Sequence, residues 1–206
     1  MNDNPKKLAV LVMIVALAIV LPVAMVSADD NAGKKFIQGT YAVTGMNGGL
    51  LAPFGFDPQT LAPINGVAFT LGAQSWKGTY TFHKDGTVDW DVILAGADPA
   101  IPGVPLTAGS MHGTGKLYYT LADRGKITFT VVHGTAKNTP LTGPPSNSVI
   151  YYDTNGSWDG VISPDGKSMQ VTWGAPLILF MTDEDYNPTG PQFIVSGSFT
   201  LFRLND

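Results

Sequence analysis

The stretch GTYTFHKDGTVDWDV, Gly78 to Val92, decides the fold, because apolar and polar residues alternate on both sides of a glycine-containing turn. Lys84-Asp85-Gly86 has the composition of a tight turn in which glycine adopts a positive φ. With a period of two, the aromatic side chains share one face, and His83, Asp89 and Asp91 share the other. We therefore predict a β-hairpin with one buried and one solvated face. The alternative is a metal or acid–base site on the polar face.

The composition of the whole chain favours strands over helices. It contains 24 Gly, 15 Pro and a single glutamate, Glu184, whereas exposed helix faces are rich in Ala, Leu, Glu, Lys and Gln. Alternating Val, Ile, Thr and aromatic residues between turn signals predict roughly nine or ten strands, mostly joined by hairpins. Among them, Gly66–Leu71 and Trp76–His83 are predicted as separate strands. Three stretches rich in Gly, Pro or polar residues are predicted to be irregular links: Gly45–Asn65, Ala97–Ala108 and Thr135–Asn147.

Successive hairpins indicate an antiparallel meander. A sheet of this many strands must protect its edges, and closing into a barrel removes them. We predict an all-β fold in which the meander closes into a barrel of about 8–10 strands. A two-sheet β-sandwich is the alternative.

The N-terminal 28 residues have the pattern of a secretory signal peptide. Lys6 and Lys7 precede an apolar run from Leu8 to Val26, and Val26-Ser27-Ala28 supplies small residues for cleavage near Ala28. An uncleaved membrane anchor is the alternative, because the run approaches the length that spans a bilayer. We expect residues 29–35 to be a flexible N-terminus and residues 36–206 to form a single domain. The protein would then be exported to the periplasm or the extracellular space.

Charge and cysteine content exclude several classes of function. Lys and Arg total 12 against 16 Asp and Glu, so no basic surface for nucleic acid is expected. The absence of cysteine excludes disulfides, thiol catalysis, thiolate zinc sites and iron–sulfur clusters. We expect no cofactor, no metal, and membrane contact only through the signal peptide. The oligomeric state is left open.

Few residues in the chain suggest catalysis. In the second predicted hairpin, Gly113–Leu121 with Lys126–His133, His133 continues the inward apolar set, whereas His112 falls on the opposite face. Asp153–Asp159 begins like a calcium loop but lacks the glycine and glutamate of an EF-hand, and the three acids in Thr182–Asn187 are typical of a solvated loop. No GxSxG, HExxH or phosphate-binding glycine loop is present. Catalytic residues are not identified, and the sequence leans away from an enzyme.

The inward face is rich in aromatic residues. An eight-stranded barrel is either filled by its side chains or holds one small ligand, and a buried Tyr or Trp needs a partner for its polar atom. We predict that the barrel binds a small apolar or amphipathic molecule. The candidate lining is Tyr41, Trp76, Tyr80, Trp90, Tyr119, Phe129, His133 and Trp173.

Two short patterns carry a resemblance. Gly39-Thr40-Tyr41 is similar to the Gly-x-Trp start of lipocalin-like (calycin) barrels, and Arg203 would be the arginine that packs across that aromatic ring. The GTYTFxxDGTV pattern, Gly78 to Val88, resembles secreted bacterial proteins of this type. The resemblance implies a secreted barrel with a ligand in its interior.

Three other functions remain open. A second resemblance, to allene-oxide-cyclase-like barrels, implies a cyclase or isomerase. A cofactor-free enzyme of this kind would need a titratable group such as His133 or Tyr119 to face the cavity as proton donor. A structural or adhesive envelope protein would use the Pro-rich links as contact loops. An outer-membrane barrel would require apolar residues facing outward, whereas the predicted outer faces are rich in Thr, Lys and Asp.

Overall fold

The computed structural model describes residues 36–97, 108–142, 149–173 and 176–205. The predicted signal peptide and flexible N-terminus, residues 1–35, lie outside the described residues, as does most of the predicted link Ala97–Ala108.

The described residues form eleven β-strands and two single-turn 3₁₀ helices, at Ile64–Gly66 and Asp123–Gly125. The strands are β1 (Gly39–Ala52), β2 (Phe69–Phe82), β3 (Thr87–Ala97), β4 (Ala108–Ala122), β5 (Lys126–Val131), β6 (Lys137–Thr142), β7 (Ile150–Thr154), β8 (Ser157–Ile162), β9 (Ser168–Thr172), β10 (Leu177–Thr182) and β11 (Pro188–Arg203).

Eight of these strands form a closed ring in the order β1, β2, β3, β4, β5, β8, β9 and β11, and β11 pairs with β1 to close it. Every pairing in the sheet is antiparallel. The predicted all-β meander that closes on itself is confirmed. Closure leaves no free edge along the ring, which is the physical advantage of this arrangement.

The ring is uneven because, on one side, pairs of short strands take the place of single long strands. We call the interruptions within these pairs the breaks in the wall of the ring. The long strands β4 and β11 each pair with two short strands on the same side: β4 with β5 and then β6, and β11 with β9 and then β10. Strands β6, β7 and β10 therefore continue the lines of β5, β8 and β9 past short interruptions. The interruptions lie between β5 and β6, β7 and β8, and β9 and β10.

Two predicted links are strands instead. Gly45–Asn65 was predicted to be irregular, yet β1 runs on to Ala52 and pairs with β11 along its whole length. Lys137–Thr142, inside the predicted link Thr135–Asn147, forms β6. The predicted strands Gly66–Leu71 and Trp76–His83 are one continuous strand, β2, with a bulge opposite Asn47 and Gly49. These strands were not predicted because they contain glycine and polar residues. Strand propensity depends on the neighbouring strands more than on the residue itself.

One half of the ring is a packed core. Fully buried side chains from five segments of the chain pack together in its core: Ile37, Tyr41, Ile127, Phe129, Met169 and Leu201. We call this region, next to the turns at Gly86, Gly125 and Gly166, the packed half.

The end of the packed half is closed by Tyr41 and Arg203. The Tyr41 hydroxyl donates a hydrogen bond to the Gly166 carbonyl oxygen at 2.9 Å, and Arg203 Cζ lies 6.0 Å from the centre of the Tyr41 ring. The Arg203 guanidinium donates to the carbonyl oxygens of Phe36 at 3.0 Å and Gln38 at 2.7 Å. The predicted packing of Arg203 across Tyr41 is present, and it holds the segment before β1 against the last strand.

Candidate ligand-binding cavity

The other half of the ring contains a cavity of about 110 Å³. It begins at the level of the breaks in the wall and extends from there away from the packed half. Fifteen side chains from the surrounding strands and from the end of β9 line it: Asn47, Trp76, Tyr80, Trp90, Val92, Leu94, Leu117, Val131, Tyr152, Trp158, Trp173, Leu177, Leu179, Val195 and Phe199.

All four tryptophans of the chain line this cavity. Glycines opposite two of them, Trp76 and Trp90, leave room for the indole rings. A β-carbon on Gly113 or Gly115 would lie 2.8 Å or 2.7 Å from the ring of Trp90, and one on Gly45 would lie 2.7 Å from Trp76. Real β-carbons do not approach other atoms so closely, so these glycines allow large rings to lie inside a ring of eight strands.

The aromatic rings also pack on one another. Trp76 stacks on Tyr80 with a centroid distance of 6.3 Å and an interplanar angle of 25°. Trp158 meets Trp173 edge to face at 6.5 Å, and Trp90 lies 6.5 Å from Tyr152. Such pairs add about 0.5–1.5 kcal/mol each beyond the area they bury. The lining is therefore held as a set of mutually supported rings.

Four polar atoms of the lining side chains are buried without a hydrogen-bond partner among the described residues: Nε1 of Trp76, Trp158 and Trp173, and Oδ1 of Asn47. Trp76 and Trp158 are only 7% and 9% exposed. An unsatisfied buried donor or acceptor costs about 1–3 kcal/mol. Native proteins leave few such atoms. Four of them in one lining are therefore unusual and make the cavity a candidate binding site.

Two phenols in the lining stay protonated over a wide pH range. Burial raises the pKa of Tyr80, and the neighbouring Tyr152 phenol raises it further. Burial also raises the pKa of Tyr152, with a smaller contribution from Tyr186. No Asp, Glu, Lys, Arg or His is among the described residues that line the cavity. The lining is uncharged at neutral pH.

The residues predicted to line the barrel divide into three groups. Trp76, Tyr80, Trp90 and Trp173 line the cavity. Tyr41, Tyr119 and Phe129 are buried in the packed half and are absent from the cavity lining, and the Tyr119 hydroxyl donates to the His83 carbonyl oxygen at 3.0 Å.

His133 lies outside the ring rather than at its inward rim. Strand β5 ends at Val131, and the chain then turns outward through Gly134, whose φ is +76°. The His133 side chain is 79% exposed and its Nδ1 contacts Oδ2 of Asp153. The period-two pattern placed it inward because it assumed that the strand continued for two more residues.

Eleven of the fifteen lining residues are absent from the predicted lining, and three of them show why. Asn47 lies in the stretch predicted to be irregular. Tyr152 follows Tyr151, so alternation alone did not show which of the two faces inward. Trp158 could have been found, because it alternates with the solvent-facing positions Ser157 and Asp159 in β8. A tryptophan on the buried face of a strand next to glycines is the signal that was available.

The first hairpin carries its charges on the outer face, as predicted. His83 Nε2 lies 3.0 Å from Asp89 Oδ2, Lys116 Nζ lies 3.2 Å from Asp89 Oδ1, and His112 Nε2 lies 2.8 Å from Asp91 Oδ1. These side chains are substantially exposed, so the pairs contribute little to stability. Within the described part of the chain, no group of three or more His, Asp or Glu residues is placed to hold a metal ion.

Asp153 and Asp183, one from each acidic stretch considered for calcium, accept hydrogen bonds from backbone N–H groups. Asp153 accepts hydrogen bonds from the backbone N–H groups of Gly134 at 3.3 Å and Thr154 at 2.7 Å. Asp183 Oδ1 accepts from the N–H groups of Asp185 at 3.0 Å and Asn187 at 2.9 Å, and these bonds lower the pKa of Asp183, with that of Asn187 the larger cause. Asp183 thus holds its own turn, whereas Asp153 ties the loop at Gly134 to the end of β7.

No protein-family model matches this chain, and no curated protein is found to be related to it. Among the described residues, no helix has the length and apolar character needed to cross a bilayer.

Proposed function

We propose that this protein binds a small apolar or amphipathic molecule in the cavity between the broken wall and the long strands. The observation that carries the proposal is the cavity lining itself. It gathers four tryptophans around about 110 Å³ of space and leaves three of their indole N–H groups without partners among the described residues. A core evolved only for stability would fill this space or pair these donors.

The contrast between the two halves of the ring supports binding. The packed half is filled by interlocking side chains, among them Phe82, whose ring lies 5.1 Å from Tyr41 and 6.0 Å from Phe129. Stability can come from this half, because it holds most of the fully buried side chains. The half with the cavity can therefore leave space for a ligand without loss of the packing that stabilises the fold. This division also supports a lipocalin-like mode of action, in which the ligand occupies the interior of an exported barrel.

Binding is favoured over cyclase or isomerase activity. The titratable groups of the lining are Tyr80 and Tyr152, and burial raises the pKa of both. An efficient proton donor has a pKa near the working pH, so these phenols serve better as hydrogen-bond donors than as acids. Neither of the proton donors named for the enzyme alternative, His133 and Tyr119, lines the cavity.

Native mass spectrometry of protein secreted with its own N-terminal segment tests the proposal. We expect an additional noncovalent mass that leaves on denaturation. Val92→Phe adds a ring to the cavity lining, and Val161→Phe makes the same change on the outer face of β8, where Val161 is 58% exposed.

The Val161→Phe protein should retain the additional mass, and the Val92→Phe protein should lose it. If Val92→Phe does not fold, Leu94→Phe makes the comparison at a second lining position. A bare polypeptide mass for the wild type and for Val161→Phe would contradict the proposal.

A further inference from the structure

The lining of the cavity restricts the charge of its ligand. No charged side chain is found among the described lining residues, and burying an ion without a partner is strongly unfavourable. A carboxylate, phosphate or ammonium group would have to leave water with no counter-charge. The lining therefore selects a neutral molecule.

The hydrogen-bonding groups of the lining are mostly donors. An indole offers one N–H and no acceptor, and three indoles have no partner within the described part of the chain. The Tyr80 and Tyr152 phenols are protonated and can also donate. Asn47 contributes an amide with an unpartnered Oδ1. A molecule that completes this set supplies mainly oxygen or nitrogen acceptors.

The size and the walls of the cavity restrict the shape. At about 110 Å³ the cavity is smaller than an apolar cavity of about 150 Å³ that is known to hold benzene, but it is partly open to solvent. It therefore accommodates at most a single ring with a small substituent. Its walls include the stacked pair Trp76–Tyr80 and the edge-to-face pair Trp158–Trp173. Flat aromatic walls favour a flat guest that packs against them.

We propose, building on the function proposed above, that the ligand is a compact, neutral, single-ring molecule whose carbonyl or ether oxygen accepts hydrogen bonds from the tryptophan N–H groups. Long-chain fatty acids and other anions are outside this class.

Three probes of nearly the same shape separate charge, hydrogen bonding and apolar packing. Acetophenone presents a carbonyl oxygen. In α-methylstyrene a methylene group replaces that oxygen, and in benzoate an anionic oxygen replaces the methyl group. Each is titrated into ¹⁵N-labelled protein, and the four indole N–H resonances, one from each tryptophan, report on the cavity. Val92→Phe is the blocked control, and Tyr119→Phe, which alters a buried tyrosine outside the lining, is the matched control.

We expect acetophenone to bind about fivefold or more tightly than α-methylstyrene, which is the order expected from one or two hydrogen bonds. Its binding should shift the indole resonances, and benzoate should leave them in place. Tyr119→Phe should bind as the wild type does. Trp173→Phe and Trp158→Phe, which keep a ring but remove a donor, should reduce the preference for acetophenone.

Each other outcome overturns a stated part. Equal binding of acetophenone and α-methylstyrene would overturn the acceptor class while leaving a binding cavity. Tighter binding of benzoate would overturn the neutral class. Unmoved indole resonances with all three probes would overturn this inference, and the mass measurement above decides the proposed function separately.

Discussion

Gly49 in β1 lies directly against the Ile194 carbonyl of β11, so closely that a β-carbon on Gly49 would overlap the carbonyl oxygen. These strands close the ring, and Gly49 is the Cα partner of Val195, next to Ile194. The approach occurs where β1 and β2 change register between Asn47 and Gly49. The closure of the ring beside the cavity therefore depends on the absence of one side chain.

Gly49→Ala should destabilise the fold, because the added methyl group forces β1 and β11 apart. We expect the free energy of unfolding to fall by about 1–3 kcal/mol, the usual cost of overpacking. The neighbouring Gly48→Ala is the matched control, since a β-carbon there would meet nothing within 4 Å. It should leave stability unchanged or raise it by about 0.4–1 kcal/mol. Urea unfolding of both variants measures the difference, and equal effects would contradict the account of ring closure.

Two buried tyrosines should respond differently to the loss of a hydroxyl. The Tyr119 hydroxyl donates to the His83 carbonyl oxygen at 3.0 Å, so Tyr119→Phe should lower the free energy of unfolding by about 1 kcal/mol. Tyr80 is 5% exposed, and burial raises the pKa of its phenol. Among the described residues, none forms a hydrogen bond with its hydroxyl. Removing an unpaired polar group is nearly neutral or favourable.

Tyr80→Phe should therefore be at least as stable as the wild type in denaturant unfolding without ligand. A loss of stability larger than that of Tyr119→Phe would show that the Tyr80 hydroxyl has a strong partner in the folded protein.

Stability should decrease in alkaline solution. In the folded protein, the pKa of Tyr80 and of Tyr152 lies above the ordinary tyrosine value of about 10, because both phenols are buried. Below pH of about 10 both states keep these protons. Above it the unfolded chain loses them while the folded chain retains them, so unfolding becomes more favourable by about 1.4 kcal/mol per pH unit for each tyrosine.

Guanidinium unfolding between about pH 9 and pH 12 checks this linkage. Tyr80→Phe should reduce the slope of the free energy of unfolding against pH by the contribution of one tyrosine. An unchanged slope would mean that the Tyr80 phenol ionises normally in the folded protein.

Arg203 should be replaceable only at a cost in stability. It donates hydrogen bonds to the carbonyl oxygens of Phe36 and Gln38 and packs across Tyr41. Arg203→Ala removes both functions, and we expect the free energy of unfolding to fall by about 1–2 kcal/mol. Arg203→Lys keeps the charge but loses the planar fork that reaches two carbonyls, so it should recover only part of this loss. Full recovery by lysine would contradict the role given to the fork.

The fold could be predicted from the sequence where alternation was uninterrupted. The hairpin from Gly78 to Val92 and its polar outer face agree with the structure, because period-two patterns translate directly into faces of a strand. Strand β6 and the end of β1 could not be predicted, because Gly48, Gly49 and Pro140 weaken strand propensity and these strands form through their neighbours.

The candidate site could be predicted in part. Trp76, Tyr80, Trp90 and Trp173 were predicted to line the interior, because large aromatic residues on an inward face have nowhere else to lie. The sequence did not show that the wall breaks at mid-height, since each break depends on how β4 and β11 divide their pairing between two short strands. As a result of this division, His133 lies outside the ring, and Tyr152 and Trp158 line the cavity.

The central claim is that, among the described residues, the half of the ring with the four tryptophans holds an accessible cavity while the other half is packed. A crystal structure determined under xenon pressure tests it most directly, because xenon occupies apolar cavities that are otherwise empty. The account predicts a xenon site within the lining of Trp76, Trp173 and Leu177 and none among the side chains of the packed half. A ring interior with no xenon site, or xenon bound only beside Tyr41 and Phe129, would contradict it.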